Sequence, residues 1–391
     1  MKMKMKLVSL AVSAGLAMPG LASAVEVAGK ALDIYGKAHV SLDAPSAKQD
    51  NGTGGYDNVN NVSMSSNSSR LGFMGELPVD SVTGFYKIEA SITFDNGDGT
   101  SFSHRAAYAG IKDGFGSVLL GYRDTPLKDV RGMYDVFGDT VGDARDIFGT
   151  AQDYSATTLA GSGPYAKNYI DVRAKNAIMY TTPKMKGFEA NFMYSTAWEA
   201  NSTNQEGQDN NNNSLYSINV KYKLDKLALA AAYQSQNYVS STTGDKTYEQ
   251  TTSRVVGTYD FGAFRVGLMY ENMDNNGDNS AVYAGQRRSA YGANFVFKAG
   301  ANGAVKLEYN VADKSDIANA NDGASETAIG YSYKLGKHSS TYVMYSTISN
   351  DNGNSGVNGA GYFIGNGHDQ KYWSAPGQDV SSFSVGYIVS F

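Results

Sequence analysis

The chain has 391 residues, with 33 basic against 38 acidic side chains and no cysteine. The missing thiols exclude disulfide staples, thiolate metal sites and thiol catalysis together, and the acidic balance argues against nucleic acid as a partner. A mean hydropathy of −0.37 looks like that of a soluble protein, but a membrane strand gives only alternate residues to lipid, so an average conceals a spanning barrel.

Met1 to Ala24 reads as a cleaved secretory signal. Lys2, Lys4 and Lys6 form a basic start, Leu7 to Leu21 an apolar middle broken by Pro19-Gly20, and Ala22-Ser23-Ala24 a small-residue cleavage site. The apolar run is shorter than the about 20 residues a membrane anchor needs, and no later window reads as a spanning helix. Removing the three lysines takes 33 basic residues to 30 against 38 acidic, a net charge of −8 on the exported chain from residue 25 to residue 391.

Strict alternation then begins. Leu32, Ile34, Ala38, Val40 and Leu42 interleave with Asp33, Tyr35, Lys37, His39, Ser41 and Asp43, which gives one oily and one wet face. After a polar stretch to Asn67, Leu71, Phe73 and Leu77 lie opposite Arg70 and Glu76. From Phe85 to Asp95, Tyr86, Ile88, Ala90, Ile92 and Phe94 oppose Lys87, Glu89, Ser91, Thr93 and Asp95. His104 to Lys112 and Ser117 to Arg123 follow, with Tyr108, Val118, Leu120 and Tyr122 expected outward and Arg105 and Arg123 the other way.

The rhythm breaks from Asp124 to Ile170, a stretch far longer than an ordinary connection. It retains Val130, Met133, Tyr134, Val136, Phe137, Ile147 and Phe148 among Asp129, Asp135, Asp139, Asp143, Asp146 and Asp153. Sticky spots with an acidic face suggest a loop folded inside something polar and partly enclosed.

Beyond it, strands of about ten residues start near Arg173, Phe188, Tyr216, Leu227, Thr252, Phe264, Gln286, Val305, Glu326 and Thr341, and Val380 to Phe391 ends the chain. The total is about sixteen, an even number suited to a transmembrane barrel. Tight turns such as Asp225-Lys226 and Gly336 to His338 alternate with long polar loops such as Trp198 to Ser214, Val239 to Glu249, Met273 to Gly285 and Ser349 to Asp379. Such segregation of short and long connections belongs to a barrel with inner turns and outer loops. In the last strand Phe383, Val385, Tyr387, Val389 and Phe391 share one face, and with no tail this strand can pair with the first and leave no edge.

Five segments resemble the sixteen-stranded general porins of Gram-negative outer membranes: Asp33-Ile-Tyr-Gly-Lys37, Ser69-Arg-Leu-Gly-Phe-Met-Gly-Glu76, Arg105-Ala-Ala-Tyr-Ala-Gly-Ile-Lys112, Gly121-Tyr-Arg-Asp-Thr-Pro-Leu127 and the terminal Phe391. The resemblance implies an all-β antiparallel barrel in the outer membrane, in contact with lipid and lipopolysaccharide. It also implies a homotrimer of water-filled channels for small hydrophilic solutes and ions, and a C-terminal strand, with Tyr387 and Phe391, read by the barrel-assembly machinery. The third loop, residues 124–170, would fold into the bore and set its acids against basic residues on the wall. Carried over by motif, the wall is Lys37, Arg70, Arg105 and Arg123. The loop acids chosen are Asp129, Asp135 and Asp139, although this loop lacks the acidic Pro-Glu-Phe-Gly-Gly stretch of the enteric members.

Parity supports the same wall. Lys37, Arg70, Arg105 and Arg123 all fall on wet faces of successive strands, and an arginine facing mid-membrane lipid would cost roughly 2–4 kcal/mol. One such arginine alone would be an ordinary solvated charge; four together favour the lumen. Arg173, Lys175, Arg254, Arg265 and Arg288 are further inward candidates, read as solvated wall charges, and Tyr180, Tyr194, Tyr222, Tyr259, Tyr270 and Tyr387 read as an interfacial girdle or as general strand preference.

Catalysis finds no convergent groups. His39, His104, His338 and His368 are scattered, no serine has a nucleophile-elbow context, and neither Asp95 to Gly99 nor Asp274 to Asp278 has the offsets of a calcium loop. No enzyme, cofactor or metal site is expected. Two alternatives to a general diffusion channel stay open: a substrate-selective channel, and a structural or adhesive barrel with a plugged lumen.

Overall fold

The structure, a computed structural model, describes residues 25–26, 30–50, 55–95, 103–151, 168–198, 213–239, 246–277, 286–316, 321–351, 362–365, 371–372, 374 and 377–391. The signal segment, Asp153, His368 and parts of both calcium-like loops lie outside these residues.

Sixteen strands carry the architecture: β1 Asp33–Asp50, β2 Arg70–Val79, β3 Val82–Ser91, β4 Ser103–Asp113, β5 Gly116–Asp124, β6 Arg173–Thr181, β7 Phe188–Ser195, β8 Leu215–Leu224, β9 Leu227–Val239, β10 Lys246–Asp260, β11 Phe264–Gly277, β12 Gln286–Ala299, β13 Gly303–Ala312, β14 Ala324–Lys334, β15 Ser339–Asn350 and β16 Val380–Ser390. Each pairs antiparallel with the next, β5 joining β6 across the long loop. The sheet closes where β16 meets β1, with Lys37 opposite Ser390 and Leu42 opposite Val385. Phe391 completes the seam by exchanging two backbone hydrogen bonds with Gly36, at 3.0 and 3.1 Å. Among the described residues no helix is long and apolar enough to cross a membrane.

Alternation sorts side chains as hydrocarbon and water require. Leu42 is 57 % exposed, Leu120 62 % and Leu268 59 %, whereas His39, Asp43, Arg254 and Glu326 are fully buried. The barrel is apolar outside and polar inside, the reverse of a soluble protein. Short turns such as Asp225-Lys226, which begins at a positive φ of 48°, sit at one end, and the long connections sit at the other.

Three features differ from expectation. Strand β10 begins at Lys246, not near Thr252, β9 continues to Val239 and β11 to Gly277, so much of what reads as loop is ladder. Above the hydrocarbon band neither face needs to be oily, and the two-residue signal fades while the backbone pairing continues. Tyr108 is not outward. Glu89 pairs with Ala106 but Ala90 with His104, so Arg105 is the extra residue of a bulge, and parity reverses beyond it. Arg105 and Tyr108 consequently both face the lumen. A second irregularity, between Ala174 and Ala177 on β6, places Asn176 at a φ of +49° opposite the end of β5. Both bulges flank the start of the long loop. Third, Arg254 is no solvated wall charge, since it is fully enclosed.

Beside these bulges Gly121 has a φ of +142°, and an added Cβ would lie 2.2 Å from the Ala107 carbonyl oxygen. The G121V substitution is expected to cost about 1–3 kcal/mol through overpacking. Thermal unfolding in detergent, followed by the shift of unboiled protein on a gel, should show a lower midpoint; an unchanged midpoint would contradict the strained register at this site.

Candidate functional site

The long loop opens with a capped turn. Thr125 accepts a hydrogen bond from the Lys128 amide at 3.4 Å and Pro126 starts helix α1, Pro126–Arg131. From there the backbone tracks the inner wall strand by strand. Ser217 on β8 accepts from the Leu127 amide, and Asn219 donates to the Pro126 carbonyl at 2.7 Å. Arg254 on β10 donates to the Leu127 carbonyl and Asn294 on β12 to that of Tyr134. On β13, Asn310 accepts from the Tyr134 hydroxyl, Glu308 from the Val136 amide, and Lys306 donates to the Val136 carbonyl. On the return Glu271 accepts from the Gly149 amide at 3.0 Å.

Small wall residues make this packing possible. Ala230 and Ala232 on β9, Ala290 on β12, Ala312 on β13 and Ala328 on β14 turn inward, and Leu127, Val130, Tyr134, Val136, Ile147 and Phe148 fill the space they leave. The loop therefore carries a second, internal apolar core, which explains why its acidic stretch is also sticky. Its neck is clamped by Asp171, which takes Arg131 at 2.6 Å and Arg254 at 2.8 Å, while Arg254 also binds Glu271 at 2.9 Å.

The opposite wall, β1 to β5, carries the bases. Lys37 lies 3.0 Å and Arg70 3.8 Å from Asp139 at the tip of the loop. Arg123 lies 3.2 Å from Asp129 at the loop's other end, with its guanidinium over the Tyr108 ring. Loop and wall thus meet at two points, and the lumen between them is bordered by basic side chains. Arg105 does not reach the loop acids; it binds Glu89 at 3.0 Å. Asp135 also points elsewhere, accepting from Arg131 within the loop and from the Phe137 amide.

Glu89, Lys87, Tyr35 and Arg145 belong to the same cluster and were not singled out from sequence. Glu89 accepts from the Tyr35 hydroxyl at 2.6 Å and sits within 4 Å of Arg70, Lys87 and Arg105. Its parity with Lys87 and its ladder neighbours was the available signal. Arg145 approaches Asp139 at 3.4 Å and Asp143 at 2.8 Å from the loop side; only the fold brings those together.

Electrostatics divides the loop acids. Burial alone would raise the Asp139 carboxyl, but Lys37, Arg70 and Arg145 hold it well below the usual carboxylate range. Asp135 is pushed up, by burial first and then by the neighbouring Asp143. Lys128 is lowered to about 8 by burial, against the pull of Asp124 and with repulsion from Arg173 and Arg145.

A family model for Gram-negative porins matches residues 9–353 of this chain. A monosaccharide porin from a Halomonas species is 27 % identical over 289 residues, which covers 71 % of this chain and 72 % of that protein. Outer membrane protein U of Vibrio vulnificus is 22 % identical over 355 residues, 85 % of this chain and 99 % of its own. Among solved structures, an anion-selective porin from Comamonas acidovorans has a TM-score of 0.72 at 18 % identity, covering 92 % of this chain and 99 % of that one. The trimer form of OmpT from Vibrio cholerae has a TM-score of 0.63 at 18 % identity with the same coverage.

Two tests follow from the loop's anchorage. Arg254→Ala would leave Glu271 a buried charge with no cationic partner among the described residues and Asp171 with Arg131 alone, at a cost of about 3–5 kcal/mol, so proteolysis of the folded barrel should cut within 124–170 faster than in the wild type. Equal rates would mean that Arg254 does not hold the loop. As pH rises through about 8, Lys128 loses its charge and the zero-current potential in a salt gradient should move toward cations; K128M should reduce that step, with the buried Lys306 accounting for the remainder, and an undiminished step in K128M would contradict the assignment.

Proposed function

The chain belongs to the Gram-negative porin family and forms a water-filled channel across the outer membrane, and from that premise we propose that its third loop narrows the bore and that the basic wall gives the channel a preference for small anionic solutes. One observation carries the reading. Lys37, Arg70, Lys87, Arg105 and Arg123 gather on the wall with Glu89 as the acid among them, and the loop that faces them brings Arg145 as well as Asp129 and Asp139.

The mechanism is electrostatic and steric. A solute entering the narrowing exchanges bulk water for a passage in which one side donates hydrogen bonds from guanidinium and ammonium groups and the other is partly acidic. A field across the passage orients a dipolar solute. Anions gain at the bases and are released because each base already shares an acid, so none becomes a trap. Solute size is set by the loop, whose acids touch the wall at both ends, at Asp129 and Asp139. The name of the Comamonas relative, an anion-selective porin, is in line with this sign of preference.

The trimer form of the Vibrio cholerae relative supports assembly of three copies here. The outward aromatic stripe ending in Tyr387 and Phe391 suits recognition by the barrel-assembly machinery, the long polar connections suit contact with lipopolysaccharide, and residues 1–24 suit removal after export.

Arg70→Ala combined with Arg105→Ala is expected to move the zero-current potential toward cations in planar bilayers. The shift should be larger at 0.1 M salt, where the screening length is about 10 Å, than at 1 M, where it is about 3 Å. The same potential in variant and wild type at low salt would remove the wall from ion selection.

A further inference from the structure

We propose that the inner vestibule carries a second anion site, built on Arg265 of β11 beneath the third loop, and that it takes small oxyanions, carboxylate or phosphate, in preference to halide ions. The proposal rests on the channel reading above and adds a chemical class to it. It begins from a guanidinium without an acceptor. Arg265 is only 8 % exposed, and its Nε and Nη2 atoms are buried with no hydrogen-bond partner among the described residues. Buried charged donors are ordinarily paired, because leaving one unmade is unfavourable. The edge that Nε and Nη2 form is therefore the feature to explain.

Two acids act on Arg265 through their charge, Asp260 and Glu308, and both are committed elsewhere. Asp260 stands directly opposite Arg265 in the ladder of β10 and β11, the position from which a cross-strand ion pair ordinarily forms. Its carboxylate instead accepts from the Gly262 amide at 2.7 Å and lies 3.8 Å from Lys298. Glu308 of β13 accepts from the Val136 amide at 3.1 Å and from Asn310 at 2.9 Å. The turn holds one acid and the third loop the other.

Around the guanidinium the wall is basic and its floor is dry. Val296 of β12 pairs with Arg265 on one side and with Lys306 of β13 on the other, and it is fully buried. Two strand spacings, about 10 Å, thus separate Arg265 from Lys306, and the two-residue period puts Lys298 on the same face as Val296. Arg265 and Lys306 are among the first four residues of β11 and β13, so the group lies at the short-turn end. Lys306 donates to the Val136 carbonyl at 2.8 Å with its ammonium over the Phe137 ring, which makes the third loop the roof. The Lys298 side chain is 39 % exposed, so the vestibule opens here. The geometry of the fork sets the preference. Nε–H and Nη2–H run parallel and match two oxygens of a carboxylate or phosphate, whereas a halide ion meets them with one atom and gains charge alone. Rotation of the long Arg265 side chain about its own torsions brings this edge from the wall to the vestibule, where Lys298 and Lys306 add their charge. An anion that has passed Lys37 and Arg70 then meets a second stop on the opposite side of the bore.

Planar-bilayer recordings test the site, with R265K as the deciding variant because it keeps the charge and removes the fork. Potassium acetate or inorganic phosphate is titrated into potassium chloride at constant ionic strength, and folding of the variant is checked by the gel shift of unboiled protein. The single-channel current of the wild type should fall along a saturating curve with either oxyanion and show no such fall when bromide replaces chloride. R265K should raise the half-saturating concentration about tenfold, as loss of one charged hydrogen bond does, with the sign of the zero-current potential in potassium chloride kept. A lower half-saturation for acetate assigns carboxylate solutes to the site, and a lower one for phosphate assigns phosphorylated ones. A folded R265K channel with wild-type half-saturation would reduce Arg265 to a plain charge and overturn the proposal. A second measurement needs no variant: oxyanion presented from the short-turn side should half-saturate at a lower concentration than from the long-loop side, and equal or reversed values would equally overturn it. A wild type that gives no conductance steps at all would sink the channel reading itself, whereas steps without oxyanion saturation sink the site alone.

Discussion

The structure depends on closure of one sheet. Within hydrocarbon a backbone amide or carbonyl without a partner costs several kcal/mol, so a spanning sheet must have no edge. Here the last edge is removed by ten residue pairs between β1 and β16, and the terminal residue contributes its own backbone to the seam through Gly36. Once the sheet is closed, the two-residue period has only one arrangement that works: apolar side chains to lipid, polar ones to the lumen. The basic wall is a consequence. Lys37, Arg70, Arg105 and Arg123 are inside because outside is closed to them, and they are neighbours because β1 to β5 are consecutive in the sheet.

The lumen then poses its own packing problem, which the chain solves with a second core. A bore of sixteen strands is too wide for wall side chains alone to fill. On the β8 to β15 side the wall carries alanines, and the third loop lays Leu127, Tyr134, Ile147 and Phe148 into that space while wall amides, carboxylates and Arg254 take up its backbone groups. On the β1 to β5 side the wall carries long bases, and among the described residues the loop's apolar core does not extend over them. We infer that this asymmetry between small apolar and long basic wall residues leaves the aqueous passage on the basic side. Glu89 matters to that passage because it ties Arg70, Lys87 and Arg105 together and keeps their charges from splaying apart.

Much of this is legible in the sequence. Strand number, closure by Phe391 and the inward placement of Lys37 and Arg70 follow from parity, since one buried polar face and one oily face leave a clear period. Parity failed where the backbone inserts a residue. Nothing in His104-Arg105-Ala106 announces a bulge, so Tyr108 was assigned to lipid although its ring lies under Arg123. It also failed above the membrane, where β10 begins at Lys246 with no oily face to mark it. The loop acids show a different limit. Asp129, Asp135 and Asp139 look alike in sequence, and only the path of the loop separates the two that meet the wall from Asp135, which stays with Arg131. Glu89 and Arg145 were hidden for the same reason, because their partners lie on other strands or across the lumen.

The most direct test of the inside-outside assignment is a single-cysteine scan of β4 in a chain that has no cysteine of its own. A charged, water-soluble thiol reagent applied to the protein in lipid bilayers should label positions 106 and 108 and leave 107, 109 and 111 unlabelled, with position 105 labelled as well because it is the bulged residue. Labelling of 107 and 109 in preference to 106 and 108 would contradict the parity reversal, and equal labelling of both sets would contradict a barrel with lipid on one face and water on the other.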